Sequence, residues 1–131
     1  MLTAVDAARE LTSLARCFAA AFASFAGLST AGPVARRTAL VVASRVLGEH
    51  AQGVLGLVPE SVLLADARAA GAAAPIDLPA DPVAALDELD RVVAALAARA
   101  TPVADGAFLR FAAHVRADLA TARRALVVAD G

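Results

Sequence analysis

The stretch LTSLARCFAAAFASF, residues 11–25, decides the fold class of this protein. Its large apolar residues recur every three or four positions, which is the spacing of one face of an α-helix. They are Leu11, Leu14, Phe18, Phe22 and Phe25. Thr3 precedes the stretch as a candidate N-cap, with Asp6 three residues later, and Gly27 follows it as a stop signal. The pattern predicts a long amphipathic helix.

Three further long segments show the same helical spacing. The second begins at Gly32-Pro33, with Pro33 at the first helical position, and ends before Pro59. The third and fourth begin at the cap-plus-proline pairs Asp81-Pro82 and Thr101-Pro102. The predicted inward residues are Leu40, Ala43, Leu47, His50, Val54 and Leu57 in the second, Val83, Leu86, Leu89, Val93 and Leu96 in the third, and Phe108, Phe111, Val115, Leu119, Ala122 and Leu126 in the fourth.

A shorter apolar segment lies between the second and third helices. It spans residues 62–70, with Gly71 as the expected C-cap, and residues 71–80 then form a linker long enough to cross the end of a bundle. Four amphipathic helices bury their apolar faces best against one another, in up-and-down order. We therefore predict an all-α protein: one domain over residues 1–131, an antiparallel four-helix bundle with a short extra helix between helices 2 and 3.

Composition excludes several classes of function. The 12 arginines nearly balance 13 acidic residues, and the chain has no Trp or Tyr, so neither a basic surface nor stacking residues point to nucleic acid. Cys17 is alone, which excludes an intrachain disulfide. The N-terminal residues 1–10 carry acidic groups, unlike a signal peptide, and residues 27–33 interrupt the long uncharged run with glycines and a proline. We expect a cytoplasmic protein with no membrane segment.

Two histidines are the residues most suited to a binding site. His50 falls on the inward face of the second helix, next to Glu49, and Gly53 one turn on leaves space beside the ring. His114 and Asp118 are four residues apart on the fourth helix, so that the carboxylate can orient the imidazole. The ordinary alternatives are a core histidine bonded to a carbonyl group, and a surface ion pair.

The chemistry of di-iron bundles is not supported by the sequence. Such a site needs about four inward carboxylates and a Glu-x-x-His motif on two helices. In this chain Leu47 precedes His50 by three residues, and Phe111 precedes His114 by three. We predict no catalytic residue, no cofactor and no di-metal centre, and an enzymatic activity is not expected.

Three short motifs resemble a known group of proteins. They are EHA at residues 49–51, LVPES at residues 57–61 and TPVADG at residues 101–106. With them, the region of residues 35–128 resembles uncharacterised ferritin-like four-helix-bundle proteins of high-GC bacteria. The resemblance implies a bundle fold and, in some members, a bound metal.

Two functions follow as hypotheses. The first is a non-catalytic helical bundle that acts by forming a homodimer or by binding another helical protein, because apolar residues exceed what one seam per helix needs. The surplus residues are Val41, Val42, Val46, Leu55, Val127 and Val128. The alternative is a bundle that binds a small molecule or metal in a cavity beside His50, with Glu49, His114 and Asp118 as further candidate ligands.

Overall fold

The protein is entirely helical in a computed structural model that describes residues 1–131. Its five α-helices are α1 (Ala4–Leu28), α2 (Val34–Leu55), α3 (Ala65–Ala73), α4 (Pro82–Arg99) and α5 (Gly106–Asp130). A short 3₁₀ helix, Val62–Leu64, leads directly into α3. The predicted all-α class is confirmed, including the short extra helix between the second and third long ones.

Two helices begin where their capping residues predict. The hydroxyl of Thr3 accepts a hydrogen bond from the backbone N–H of Asp6 at 3.0 Å, at the start of α1. The carboxylate of Asp81 accepts from the N–H of Ala84 at 2.9 Å, and Pro82 is the first residue of α4. Each cap satisfies a backbone donor that the first helical turn leaves without a partner.

Two other predicted starts are wrong. Pro33 has an extended ψ of 148° and is the N-cap of α2, so the helix begins one residue later. Thr101-Pro102 does not cap α5, which begins at Gly106. The N–H of Thr101 donates instead to the carboxylate of Asp105 at 2.9 Å, and the N–H of Asp105 donates back to the Thr101 carbonyl at 2.8 Å. These two bonds close a separate turn before the helix.

Asp105 also ties the N-terminus to this turn. Its carboxylate accepts a second bond, from the N–H of Leu2 at 3.1 Å. The bonds from Thr101 and Leu2 lower the pKa of Asp105 below its ordinary value of 3.8. Because the folded-state pKa is the lower one, this carboxylate stabilises the fold above about pH 3.8 and ceases to do so as the pH falls further.

The buried core draws on all four long helices. It contains 22 apolar residues, and most of the predicted inward residues belong to it. His50 is buried but polar, and the other exceptions are partly or well exposed: Phe22, Leu57, Val83, Phe111 and Ala122. α1 contacts α2, α3 and α4, whereas α5 contacts α2 and α4. α1 therefore has more neighbouring helices than any other element.

Contacts along the seams give the helix directions. In α1 and α2, the Ser44 hydroxyl donates to the Phe22 carbonyl near the end of α1, while His50, further along α2, faces the earlier residue Phe18. In α4 and α5, Arg116 pairs with Asp90 at 2.8 Å and Arg123 with Asp87 at 2.7 Å. Each pair of helices thus runs antiparallel.

The remaining two seams are also antiparallel. Arg36, at the start of α2, pairs with Asp130, at the end of α5. Arg99, at the end of α4, pairs with Glu10, near the start of α1, at 2.7 Å. α2 and α4 consequently run in the same direction, which differs from the predicted up-and-down order.

The cause of this difference is the path of residues 56–81, which run back along α1 instead of crossing an end of the molecule. The guanidinium group of Arg16 donates to the carbonyls of Gly71 at 3.2 Å and Ala74 at 2.7 Å. Gly71 is inside α3 and is not its C-cap, contrary to prediction. A Cβ at this position would lie 2.1 Å from the carbonyl oxygen of Arg9, so only glycine permits the approach of α3 to α1.

α1 has one property that bears on the expectation of no membrane segment. It is the single helix long and apolar enough to cross a membrane, a property that core helices of water-soluble proteins and N-terminal signal sequences share. Within this fold its apolar face packs against α2, α3 and α4.

Gly71→Ala should destabilise the protein, because the new methyl group would collide with backbone and separate α3 from α1. We expect a loss of about 1–3 kcal/mol in the free energy of unfolding, measured by urea denaturation. Gly27→Ala is the matched control, since a Cβ at Gly27 would have no atom within 4 Å and alanine favours a helix. Equal stability of the two variants would contradict the close approach.

Candidate functional site

His50 lies on the inward face of α2, as predicted, and its side chain is only 7% exposed. Two phenylalanine rings pack against it, Phe18 in the core and Phe111 at its edge. Phe18 of α1 and Phe111 of α5 meet the imidazole edge-on, with ring centroids 6.0 and 5.9 Å away. A buried imidazole needs a polar partner, and neither ring offers a hydrogen-bond acceptor of ordinary strength.

Asp118 of α5 supplies that partner. Nε2 of His50 lies 2.8 Å from Oδ2 of Asp118. An ionised carboxylate can only accept hydrogen bonds, so Nε2 carries the proton and donates it. The bond joins residues 68 positions apart in the chain, and it replaces the backbone carbonyl that the ordinary alternative assigns to a core histidine.

His114 completes the cluster from the solvent side. Its Nε2 lies 3.5 Å from the same Asp118 oxygen, one helical turn away, and its side chain is 71% exposed. The ring centroids of His50 and His114 are 5.6 Å apart. One potential metal-binding atom from each of His50, His114 and Asp118 lies within 4.8 Å of the other two. Three of the four candidate residues from the sequence therefore meet in one place.

Glu49, the fourth candidate, is not part of the cluster. Its side chain is 64% exposed and pairs with Arg45 one turn earlier on α2, at 3.4 Å. Successive residues of a helix point about 100° apart, so Glu49 faces solvent when His50 faces the core. Glu49 is next to His50 in the sequence, but its side chain does not lie beside the His50 ring.

The structure also fills the space that the sequence predicts beside His50. Gly53 does leave a gap on α2, but the Phe111 ring occupies it, and a Cβ at Gly53 would lie 2.8 Å from Cε2 of that ring. The glycine therefore accommodates a neighbouring helix and not a ligand. Any ligand of His50 must approach from the side of Asp118 and His114.

The donor set is suited to a divalent transition metal. Two imidazole nitrogens and one carboxylate oxygen are among the ligands that zinc and ferrous iron prefer. Metal bonds of about 2.0–2.2 Å place the ligand atoms of a tetrahedral site about 3.4 Å apart. The two distances to Asp118, 2.8 and 3.5 Å, already approach this value. The exposed His114 side chain can rotate to bring its Nε2 to the distance from the other two ligand atoms that a metal requires.

Cys17 takes no part in this site. The thiol is half-buried on α1, and burial raises its pKa, an effect that the neighbouring Arg16 opposes in part. A raised pKa keeps the thiol protonated at neutral pH and weakens it as a nucleophile and as a metal ligand.

Comparisons with known protein families, with curated proteins and with solved structures found no match to this chain. The resemblance to ferritin-like proteins of high-GC bacteria therefore stays a prediction.

Asp118→Ala should destabilise the protein, because it removes the acceptor of the buried His50 N–H group. We expect a loss of about 1–3 kcal/mol in the free energy of unfolding by chemical denaturation. His114→Ala removes an exposed neighbour of the same carboxylate and should change stability by no more than about 0.5 kcal/mol. If both variants matched the wild type, the His50–Asp118 bond would have no structural role.

Proposed function

We propose that this protein is a ferritin-like antiparallel four-helix bundle that binds one divalent transition-metal ion through His50, His114 and Asp118. The proposal has two parts, an architecture and a site. The site follows the alternative hypothesis from the sequence, with Glu49 removed and with the ion at the seam between α2 and α5 instead of in a cavity.

Helix order and direction support the ferritin-like architecture. Around the core, α1 neighbours α2 and α4, and α5 neighbours the same two helices. Each of these four seams is antiparallel, and one long connection, residues 56–81, joins two helices that run in the same direction. A four-helix bundle with a single long crossover is the arrangement of ferritin-like folds.

The convergence of three candidate ligands, two imidazoles and one carboxylate, carries the metal-binding proposal. His50 comes from α2, whereas His114 and Asp118 come from α5, so the fold itself brings the third ligand to an i,i+4 pair. The Glu-x-x-His pattern of di-iron bundles remains absent, which favours a single ion. A metal binds a neutral imidazole, so protons compete with the ion for both histidines and binding should weaken as the pH falls.

Titration of the full-length protein with Zn²⁺ tests this proposal. Isothermal titration calorimetry should give one Zn²⁺ per chain, and Zn²⁺ should raise the thermal midpoint of unfolding, since the ion binds the folded state only. His114→Ala should weaken Zn²⁺ affinity at least about tenfold. Loss of a residue that only hydrogen-bonds to a metal ligand has an effect of this size, and loss of the ligand itself should cost no less.

Glu49→Ala is the matched control for that titration. Glu49 is next to His50 in sequence but pairs with Arg45 on the solvent side, so this variant should bind Zn²⁺ as the wild type does. His114 is exposed, and its removal should leave the fold intact. Absence of stoichiometric Zn²⁺ binding, or equal affinity in His114→Ala, would refute the proposal.

A second function, self-association, is supported by exposed apolar residues of α2 and α5. The Arg36–Asp130 ion pair places the start of α2 beside the end of α5. Four valines of these two segments are between 47% and 79% exposed: Val41, Val42, Val127 and Val128. Exposed apolar side chains of this size can be covered when two copies of a chain associate.

Light scattering tests the second function. A homodimer that uses this end should have twice the monomer mass, and the double variant Val42→Glu with Val128→Glu should be monomeric, because charges cannot be buried there without partners. Val103→Glu is the control, since Val103 is fully exposed in the turn before α5, at the other end of that helix. A wild-type protein that stays monomeric at high concentration would exclude the homodimer.

A further inference from the structure

We infer that the metal site keeps coordination positions open to solvent and binds a small exogenous anion there. This inference rests on the proposed metal binding, and it assigns a ligand class to the same site. Three observations carry it: the number of protein ligands, the side from which solvent reaches them, and the charge that the ion retains.

The surroundings supply three ligands and no fourth. The cluster consists of His50, His114 and Asp118. On the core side the Phe18 and Phe111 rings enclose the imidazole of His50 at 6.0 and 5.9 Å, and a phenyl ring has no atom that coordinates a metal. Structural zinc sites have four protein ligands, whereas sites with three keep a position for water or substrate. Two histidines with one carboxylate likewise leave open positions on iron.

Exposure shows where the open positions lie. The side-chain exposures rise from 7% at His50 to 34% at Asp118 and 71% at His114. The site is thus closed to solvent at His50 and open to solvent at His114. An ion bound by all three is covered by protein on the closed side, and its remaining positions face the solvent between α2 and α5.

Charge selects the kind of ligand. Asp118 is the only anionic group of the cluster, and Glu49 is turned away toward Arg45. A divalent ion held by one carboxylate and two neutral imidazoles keeps a net charge of about +1. A small monoanion neutralises this charge, which favours an anion over a neutral molecule. The anion replaces a coordinated water molecule, and no electron is transferred.

Cobalt substitution tests the inference, because Co²⁺ takes zinc sites and has visible d–d absorption bands that depend on its ligands. The full-length protein would first be titrated with Co²⁺ and then with sodium azide. We expect the bands to shift on addition of azide, with saturation at one azide per Co²⁺, and formate to compete with azide.

The outcomes separate the two proposals. Failure of Co²⁺ and Zn²⁺ to bind would refute the metal site itself. Binding of Co²⁺ with bands that azide does not change would refute only the open positions and would indicate a closed structural site. Glu49→Ala should reproduce the wild-type shift, since its side chain lies outside the cluster. A loss of the azide shift in Glu49→Ala would also count against the assignment.

Discussion

The burial of α1 is the constraint on which the rest of the structure depends. Its apolar and alanine-rich surface extends beyond one stripe, and α2, α3 and α4 each cover part of it. Because α3 must lie along α1, the connection after α2 has to return along the molecule, and α4 then starts beside the end of α1. Helix order, the parallel direction of α2 and α4, and the position of α5 opposite α1 all follow from this requirement.

The candidate site is a by-product of the same arrangement. α2 and α5 are direct neighbours, and α1 and α4 form the other side of the core. On α2 the inward position 50 holds an imidazole, and antiparallel packing brings it level with Asp118 on α5. The buried His50 ring thus has its hydrogen-bond partner at the edge of the protein surface and not in the interior. The bond holds the ring beside the partly exposed Asp118 carboxylate, and Phe18 and Phe111 pack against it edge-on.

Much of the fold could be predicted from helical periodicity and from caps that act locally. Thr3 and Asp81 bond to N–H groups three residues away, so the chain sequence alone specifies them. Thr101 presents the same signal, but its N–H is taken by Asp105, which also holds Leu2 from the far end of the chain. Gly71 resembles a helix stop signal, yet it lies inside α3, where the close approach to the backbone of Arg9 requires a glycine. For the site, i,i+4 spacing predicted the His114–Asp118 contact, whereas the His50–Asp118 bond depends on tertiary packing that no local pattern encodes.

The central position of α1 has a consequence for the synthesis of the protein. α1 is made before α4, which begins only at Pro82, and the ion pair from Arg99 to Glu10 across that seam needs the end of α4. At ordinary rates of translation, the apolar face of α1 stays uncovered on one side for several seconds. During that interval the nascent chain exposes apolar residues of α1 that α4 covers in the folded protein.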